Sequence, residues 1–260
     1  MRGHGNDGRR ITVRQILQHT SGLYDYTYDL IPDIDTPAGF ARNKNRVLTA
    51  GQRVAMAMRH APNFAPGTRW QYSNTNYVLA GMLVEAVTGR SWQQEIRRRI
   101  LRPLHLTHTT TPDVTPALPA PHPTLYQQFT PGGRWIDTTE APVLEADADG
   151  SIMTTESDLL TFFQALLDGR LLPAAELAAM RTTVPSTGGH YGLGLEWHSL
   201  SCGGGYWFHG GNGLGYSVYN GTSGNGARNI VVTVFSRSAE QLTSTEQDAA
   251  ALRVVDHALC

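Results

Sequence analysis

The hydrophobic period changes near residue 190, and that change fixes the class of fold. As far as about residue 180, apolar residues recur at helical spacing; from Tyr191 to Ser236 they alternate. Thr12 and Gln15 stand at capping-box spacing, with Val13, Ile16 and Leu17 as an apolar stripe and Gly22 placed to stop the helix. The pattern predicts a second helix over 52–60 and a long one carrying Val78, Leu79, Met82, Leu83, Ala86 and Val87 and ending at Gly89. Another starts at Ser91 with Gln94, one at Thr155 with Asp158, closed by Gly169, and a short one runs from Pro173 to Met180. Strands are expected over Tyr191 to His198, Tyr206 to His209, Tyr216 to Asn220 and Asn229 to Ser236, with a hairpin turn over 221–226 and a terminal helix over 239–259. Helices first, then an antiparallel meander, then one helix is an α+β order. Residues 24–48 show no period and read as an ordered loop; 103–148 read as a proline-rich excursion with a short hairpin near Gly132-Gly133.

Charge narrows the function. Lys and Arg together number 21 and Asp and Glu 22, so a nucleic-acid binder relying on bulk positive charge is excluded. No run of about 18 apolar residues exists, so no membrane-spanning helix is expected. Lys44 is the only lysine, in a polar run from Arg42 to Arg46, and any lysine-dependent step has this one candidate. Residues 1–10 hold no apolar core of a secretory signal and read as the middle of a surface turn.

Few segments could carry chemistry. Tyr72-Ser73-Asn74 lies between a Pro-Gly turn and an apolar helix, where Tyr and Asn two apart can face one cleft; packing by Tyr72 and helix capping by Asn74 are the competing reading. His209-Gly210-Gly211-Asn212-Gly213 lies between strands, and glycines there leave room for another backbone. A plain Gly-rich hairpin with a surface His explains that segment equally well. His105 and His108 lack a carboxylate at ligand spacing, so no metal and no cofactor are assigned. Arg97, Arg98 and Arg99 read as a solvated helix face, and Asp147 with Asp149 as a turn rather than an acid pair. Cys202 and Cys260, the only cysteines, flank the meander and terminal helix. Two free thiols are possible there, but a cysteine at the last position is better explained by a disulfide, which points to an oxidising compartment.

Together these segments resemble the serine β-lactamase and D-alanyl-D-alanine carboxypeptidase family, its class C β-lactamase-like, penicillin-recognising group. Residues Ile11 to Leu23, with His19-Thr20-Ser21-Gly22-Leu23, resemble the family's ITVRQLLxHTSGL stretch. Tyr72-Ser73-Asn74 is similar to its Tyr-x-Asn motif, Leu101 to Leu106 to its PLGL landmark, and Gly150 to Thr155 with Asp158-Leu159 to its GGLxSTxxDL segment. His209-Gly210-Gly211 stands where Lys/His-x-Gly is expected.

The resemblance implies one β-lactamase-related domain over 1–260, with 11–182 mostly a helical lobe and 190–260 the sheet strands and terminal helix. It implies an acyl-enzyme hydrolase in which Tyr72, Asn74 and His209 are catalytic, with Tyr72 lowered in pKa by nearby cations and His209 meeting a substrate carboxylate or joining the proton relay. Gly210, Gly211 and Asn212 would form the substrate strand, the Asn212 N–H being half of an oxyanion hole. The substrate would be a small molecule or a peptidoglycan-like peptide, and the complete protein a monomer of the cell envelope or exterior. The family's nucleophile motif, Ser-x-x-Lys, has no match: no serine here is followed by lysine three positions on. The expectation is therefore an N-terminally truncated, inactive chain, or a non-catalytic binding fragment of the same fold, with the faces of Leu83, Leu159 and Phe163 uncovered.

Overall fold

The computed structural model describes residues 2–111, 118–140 and 147–260; parts of the predicted 103–148 excursion lie outside them. The helical region holds α1 (Val13–Leu17), α2 (Thr27–Ile34), α3 (Pro37–Asn43), α4 (Ala50–Ala57), α5 (Asn74–Thr88) and α6 (Trp92–Ile96). A π-helical turn over Arg97–Leu101 joins α6 to α7 (Arg102–Leu104); α8 (Glu156–Leu167) and α9 (Ala174–Met180) follow, and α10 (Gln241–Leu259) closes the chain. Two-residue strands β1 (Arg2–Gly3) and β2 (Asn6–Asp7) pair near the start, and β3 (Tyr126–Gln128) with β4 (Trp135–Asp137) forms the hairpin expected near Gly132-Gly133.

The main sheet comes from β5 (Val184–Pro185), β6 (His190–Tyr191), β7 (Glu196–Ser199), β8 (Gly205–Phe208), β9 (Gly211–Gly213), β10 (Tyr216–Ser223) and β11 (Asn229–Val234); β12 (Ser236–Arg237) leaves it to pair with β3. Its order is β11-β10-β8-β7-β6-β5, with β9 also on β10. The two-residue period sorts its side chains: Tyr206 of β8 packs with Val255 and Leu259 of α10, while the next residue, Trp207, packs with Phe163, Leu166 and Leu167 of α8. Gly221 lets α10 come close, since a Cβ there would lie 2.8 Å from Leu259 and 3.0 Å from Tyr206 and Val255. A separate core of Ile16, Leu23, Tyr26, Leu30, Val54, Val78 and Leu79 holds the helical region.

Local signals are read correctly where they are self-contained. Thr12 and Ser91 close reciprocal capping boxes, Thr155 caps α8 through the Asp158 N–H, and Gly89 ends α5 at φ +67°, whereas a capping box at Thr49 that the sequence reading passed over starts α4 ahead of the expected residue 52. Five expectations need correction. Residues 24–48 hold α2 and α3 rather than a loop; Thr36 caps α3 on the Gly39 N–H with Pro37 in its first turn, and buried Leu30 and Phe40 are too few to make a period. Helix α1 ends at Leu17, well before Gly22, because His19 takes φ +57°. Pairing of Thr222 with Asn229 carries β10 into the expected turn, as far as Ser223, and Gly192 to Leu195 splits the Tyr191–His198 strand into β6 and β7. Phe163 is buried in the α8 core rather than uncovered, and Leu83 and Leu159 are half-buried. The Cys202–Cys260 disulfide is formed, with Cα atoms 5.8 Å apart, tying the β7–β8 turn to the end of α10.

Candidate active site

The segments singled out in the sequence meet around His19, a residue that pattern alone gave no role. The positive φ after α1 turns its ring inward, where it is 0% exposed. Tyr72 stacks on it with ring centroids 4.2 Å apart, and Tyr77, Trp70 and Tyr191 surround it at 5.3, 6.3 and 4.8 Å. Burial, with His209 adding repulsion, lowers the His19 pKa to about 3, so the ring is neutral.

Its hydrogen bonds run in one direction. Nδ1 accepts from the Ser73 backbone N–H and from Asn76 Nδ2, both at 3.1 Å. The ring proton of a neutral imidazole is thereby left on Nε2, which donates to Tyr191 Oη at 3.1 Å. Tyr191 Oη lies 3.1 Å from His209 Nε2, and His209 Nδ1 lies 2.9 Å from the Gly210 carbonyl. At the other end, Ser21 Oγ donates to Asn76 Oδ1 at 2.6 Å. Ser21 thus shapes its own turn, and also accepts from the Leu23 N–H.

Asn74 does not cap its helix; Ser73 is the N-cap residue, and it makes no side-chain cap bond. Both the Asn74 N–H and Nδ2 donate to Oδ2 of buried Asp25, at 3.0 and 2.9 Å, while Thr27 donates to Oδ1. This fixes the Asn74 amide beside the Tyr72 turn. The pKa of Tyr72 is raised, not lowered: burial is the main cause, with Tyr77, Asp25, Asp149 and Glu196 adding to it. The expected activating cations are absent among the described residues that act on it, and the Tyr72 hydroxyl is held protonated.

His209 sits where the ladder to β10 breaks between β8 and β9. The Asn220 side chain replaces a strand partner there, accepting from the His209 N–H at 3.1 Å and donating to its carbonyl. Gly210 is needed by the protein itself, since a Cβ would lie 2.7 Å from Phe208. Gly211 is not, for its Cβ would meet nothing within 4 Å. Gly211 and Asn212 are exposed, and β9 pairs only with β10, so its outer edge is open among the described strands. That edge can take an extended substrate backbone.

Asp147 and Asp149 do form a turn, yet they also close a buried ionic group that the sequence reading passed over. Arg53, 0% exposed, donates from Nη1 to Tyr26 Oη at 2.5 Å and places Nε 3.7 Å from Asp147. Tyr26 Oη donates to Asp149 at 2.6 Å. Burial raises Asp149 to about 6. Arg98 and Arg99 pair with Glu95 on their helix face. Among the described residues no group of three or more His, Cys, Asp or Glu could hold a metal, and no helix is long and apolar enough to cross a membrane.

The family described as Beta-lactamase matches residues 2–257. The structure of a D-stereospecific amidohydrolase from Streptomyces sp. superposes with a TM-score of 0.87 at 40% identity, covering 95% of this chain and 74% of that one. Protein flp of Staphylococcus aureus (strain N315) is 34% identical over 109 residues, which are 41% of this chain and 20% of flp. Penicillin-binding protein 4 of Amycolatopsis lactamdurans is 29% identical over 192 residues, 68% of this chain and 45% of that protein. The chain therefore spans about a fifth of the flp proteins and under half of the penicillin-binding protein.

Proposed function

The chain belongs to the Beta-lactamase family, and from that premise we propose that it carries the Tyr–Asn–His part of a serine-hydrolase site acting on amide, peptide, β-lactam or ester carbonyls. In such a site a serine attacks the carbonyl, an acyl-enzyme forms, and water releases it. Tyr72, held protonated, delivers a proton to the leaving group. Asn74, aligned by Asp25, binds the substrate amide. The Asn212 N–H on the open edge of β9 supplies one oxyanion donor, and His209 belongs to the proton relay. The observation that carries this reading is the junction of Tyr72 and His209 through His19 and Tyr191 beside that edge. The likeness to an amidohydrolase favours small amides as substrates over β-lactams. The disulfide supports an oxidising compartment, in the cell envelope or outside it, and we take the working unit to be a monomer.

The 260 residues hold no serine with lysine three positions on, so the chain by itself is proposed to bind substrates without turning them over. Loss of a nucleophile in comparable enzymes costs about a millionfold in turnover. Two measurements test this. Titration with D-phenylalanine amide is expected to shift the His209 and Asn212 NMR signals saturably; if amide, short-chain ester and benzylpenicillin all leave them unmoved, the site assignment falls. Incubation with a fluorescent penicillin and a chromogenic ester is expected to give neither adduct nor turnover. A stoichiometric adduct lost in a single Ser→Ala variant would overturn the inactive reading.

A further inference from the structure

The Ser21–Asn76–His19–Tyr191–His209 series is a chain of hydrogen bonds whose polarity is set at one end by a group that cannot reverse. The Ser73 backbone N–H can only donate, so His19 Nδ1 must accept. Asn76 is oriented to donate to the same atom, because its Oδ1 is taken by the Ser21 hydroxyl. His19 then donates from Nε2, and the Tyr191 hydroxyl receives that proton's bond and has its own proton to give. At the far end the Gly210 carbonyl can only accept, which places a proton on His209 Nδ1. His209 Nε2 is left as the acceptor of the Tyr191 proton. Tyr191 is itself 0% exposed, and Trp70 packs against it with centroids 5.7 Å apart, so water does not compete for its hydroxyl.

We infer that His19 and Tyr191 are positioning residues for His209: they hold its imidazole as the Nδ1–H tautomer, with both ring nitrogens engaged inside the protein and neither left to meet a substrate carboxylate. The inference deepens the acyl-transfer reading and rests on it for the meaning of His209, but the tautomer itself can be measured independently. The ring then contributes orientation at the start of β9, and selection favours acyl substrates whose recognised end is uncharged over those bearing a carboxylate at that position. A His as a bare surface group would place no demand on residues 172 positions apart in sequence, as His19 and Tyr191 are.

The test is long-range ¹⁵N–¹H correlation of the histidine rings in the full chain at pH 8, with the His209 signals assigned by loss in His209→Gln. The expected spectrum shows a pyridine-like Nε2 and a pyrrole-like Nδ1 for His209, and the opposite pattern for His19. In Tyr191→Phe, which leaves the ring to the Gly210 carbonyl, His209 is expected to shift to tautomer-averaged values, whereas Tyr24→Phe, which removes a hydroxyl bonded to Asp29, leaves His209 unchanged. An Nε2–H or averaged His209 in the unmodified protein overturns the inference without recourse to any variant. So does a Tyr191→Phe spectrum identical to the original. Failure of the amide titration with the tautomers as stated would count against the acyl-transfer reading alone.

Discussion

Two buried polar groups lie side by side in the helical region, and they are built on opposite principles. The one around His19 is neutral and hydrogen-bonded in series, every ring nitrogen having a partner. The one around Arg53 is ionic: a guanidinium buried with Asp147, Tyr26 and Asp149, in which Asp149 Oδ1 is buried with no hydrogen-bond partner. A neutral series can run out to a cleft and keep its direction, since no step requires a charge to leave water. An ionic group depends on its cation, and its loss exposes the others to the full cost of burial. The first therefore joins the Tyr72 turn to His209, and the second holds Tyr26, α4 and the 147–150 turn together.

The sharpest way to break this contrast is Arg53→Met. It strands Asp147 and removes the donor to Tyr26, and should cost about 3–5 kcal/mol in urea unfolding. His19→Phe comes next. It removes the one acceptor atom shared by the Ser73 N–H and Asn76 Nδ2, at about 1–3 kcal/mol in all. A cost from His19→Phe equal to that of Arg53→Met would erase the distinction between the two groups.

The pH dependence separates them by sign. His19 has its pKa depressed from 6.5 to about 3, so its contribution to stability is present above the unfolded value and is lost as pH falls through that window. Asp149 has its pKa raised from 3.8 to about 6, so its contribution is present at low pH and is lost as pH rises through its window. Each proton difference is worth about 1.4 kcal/mol per pH unit, and between pH 4 and 6 the two slopes oppose. In Asp149→Asn, the unfolding midpoint should fall more steeply on acidification than in the unmodified protein; in His19→Phe it should rise relative to it. Slopes unchanged in both variants would show that neither group titrates as placed. The smallest effect is expected of Ser21→Ala, about 1 kcal/mol, with the His209 tautomer retained because Asn76 and the Ser73 N–H still fix His19.

Much of the frame was legible because its causes are local. Capping boxes at Thr12 and Ser91 and the left-handed Gly89 need only neighbours in sequence. The pairing of Cys202 with Cys260 followed from their places at the ends of one unit. The motif segments at 72–74 and 209–211 were picked out, but their partners were not. Asp25 lies in the stretch read as a loop, and Tyr191 read as an ordinary strand aromatic. His19 belonged to a matched stretch without a role of its own. Helices α2 and α3 escaped because each buries only one large apolar side chain, Leu30 and Phe40, which leaves no period to detect.

The sequence by itself determined the α+β order, the switch from helical to alternating period near residue 190, most helix starts and the identity of the Tyr-x-Asn and His-x-Gly segments. Only the tertiary structure decided what those segments touch. Whether a ring nitrogen donates or accepts depends on a backbone N–H 54 residues away, and whether Tyr72 holds its proton depends first on its burial and then on Tyr77 and carboxylates from three other segments. Secondary structure answers to neighbours along the chain, whereas proton placement answers to neighbours in space, and folding alone brings those together.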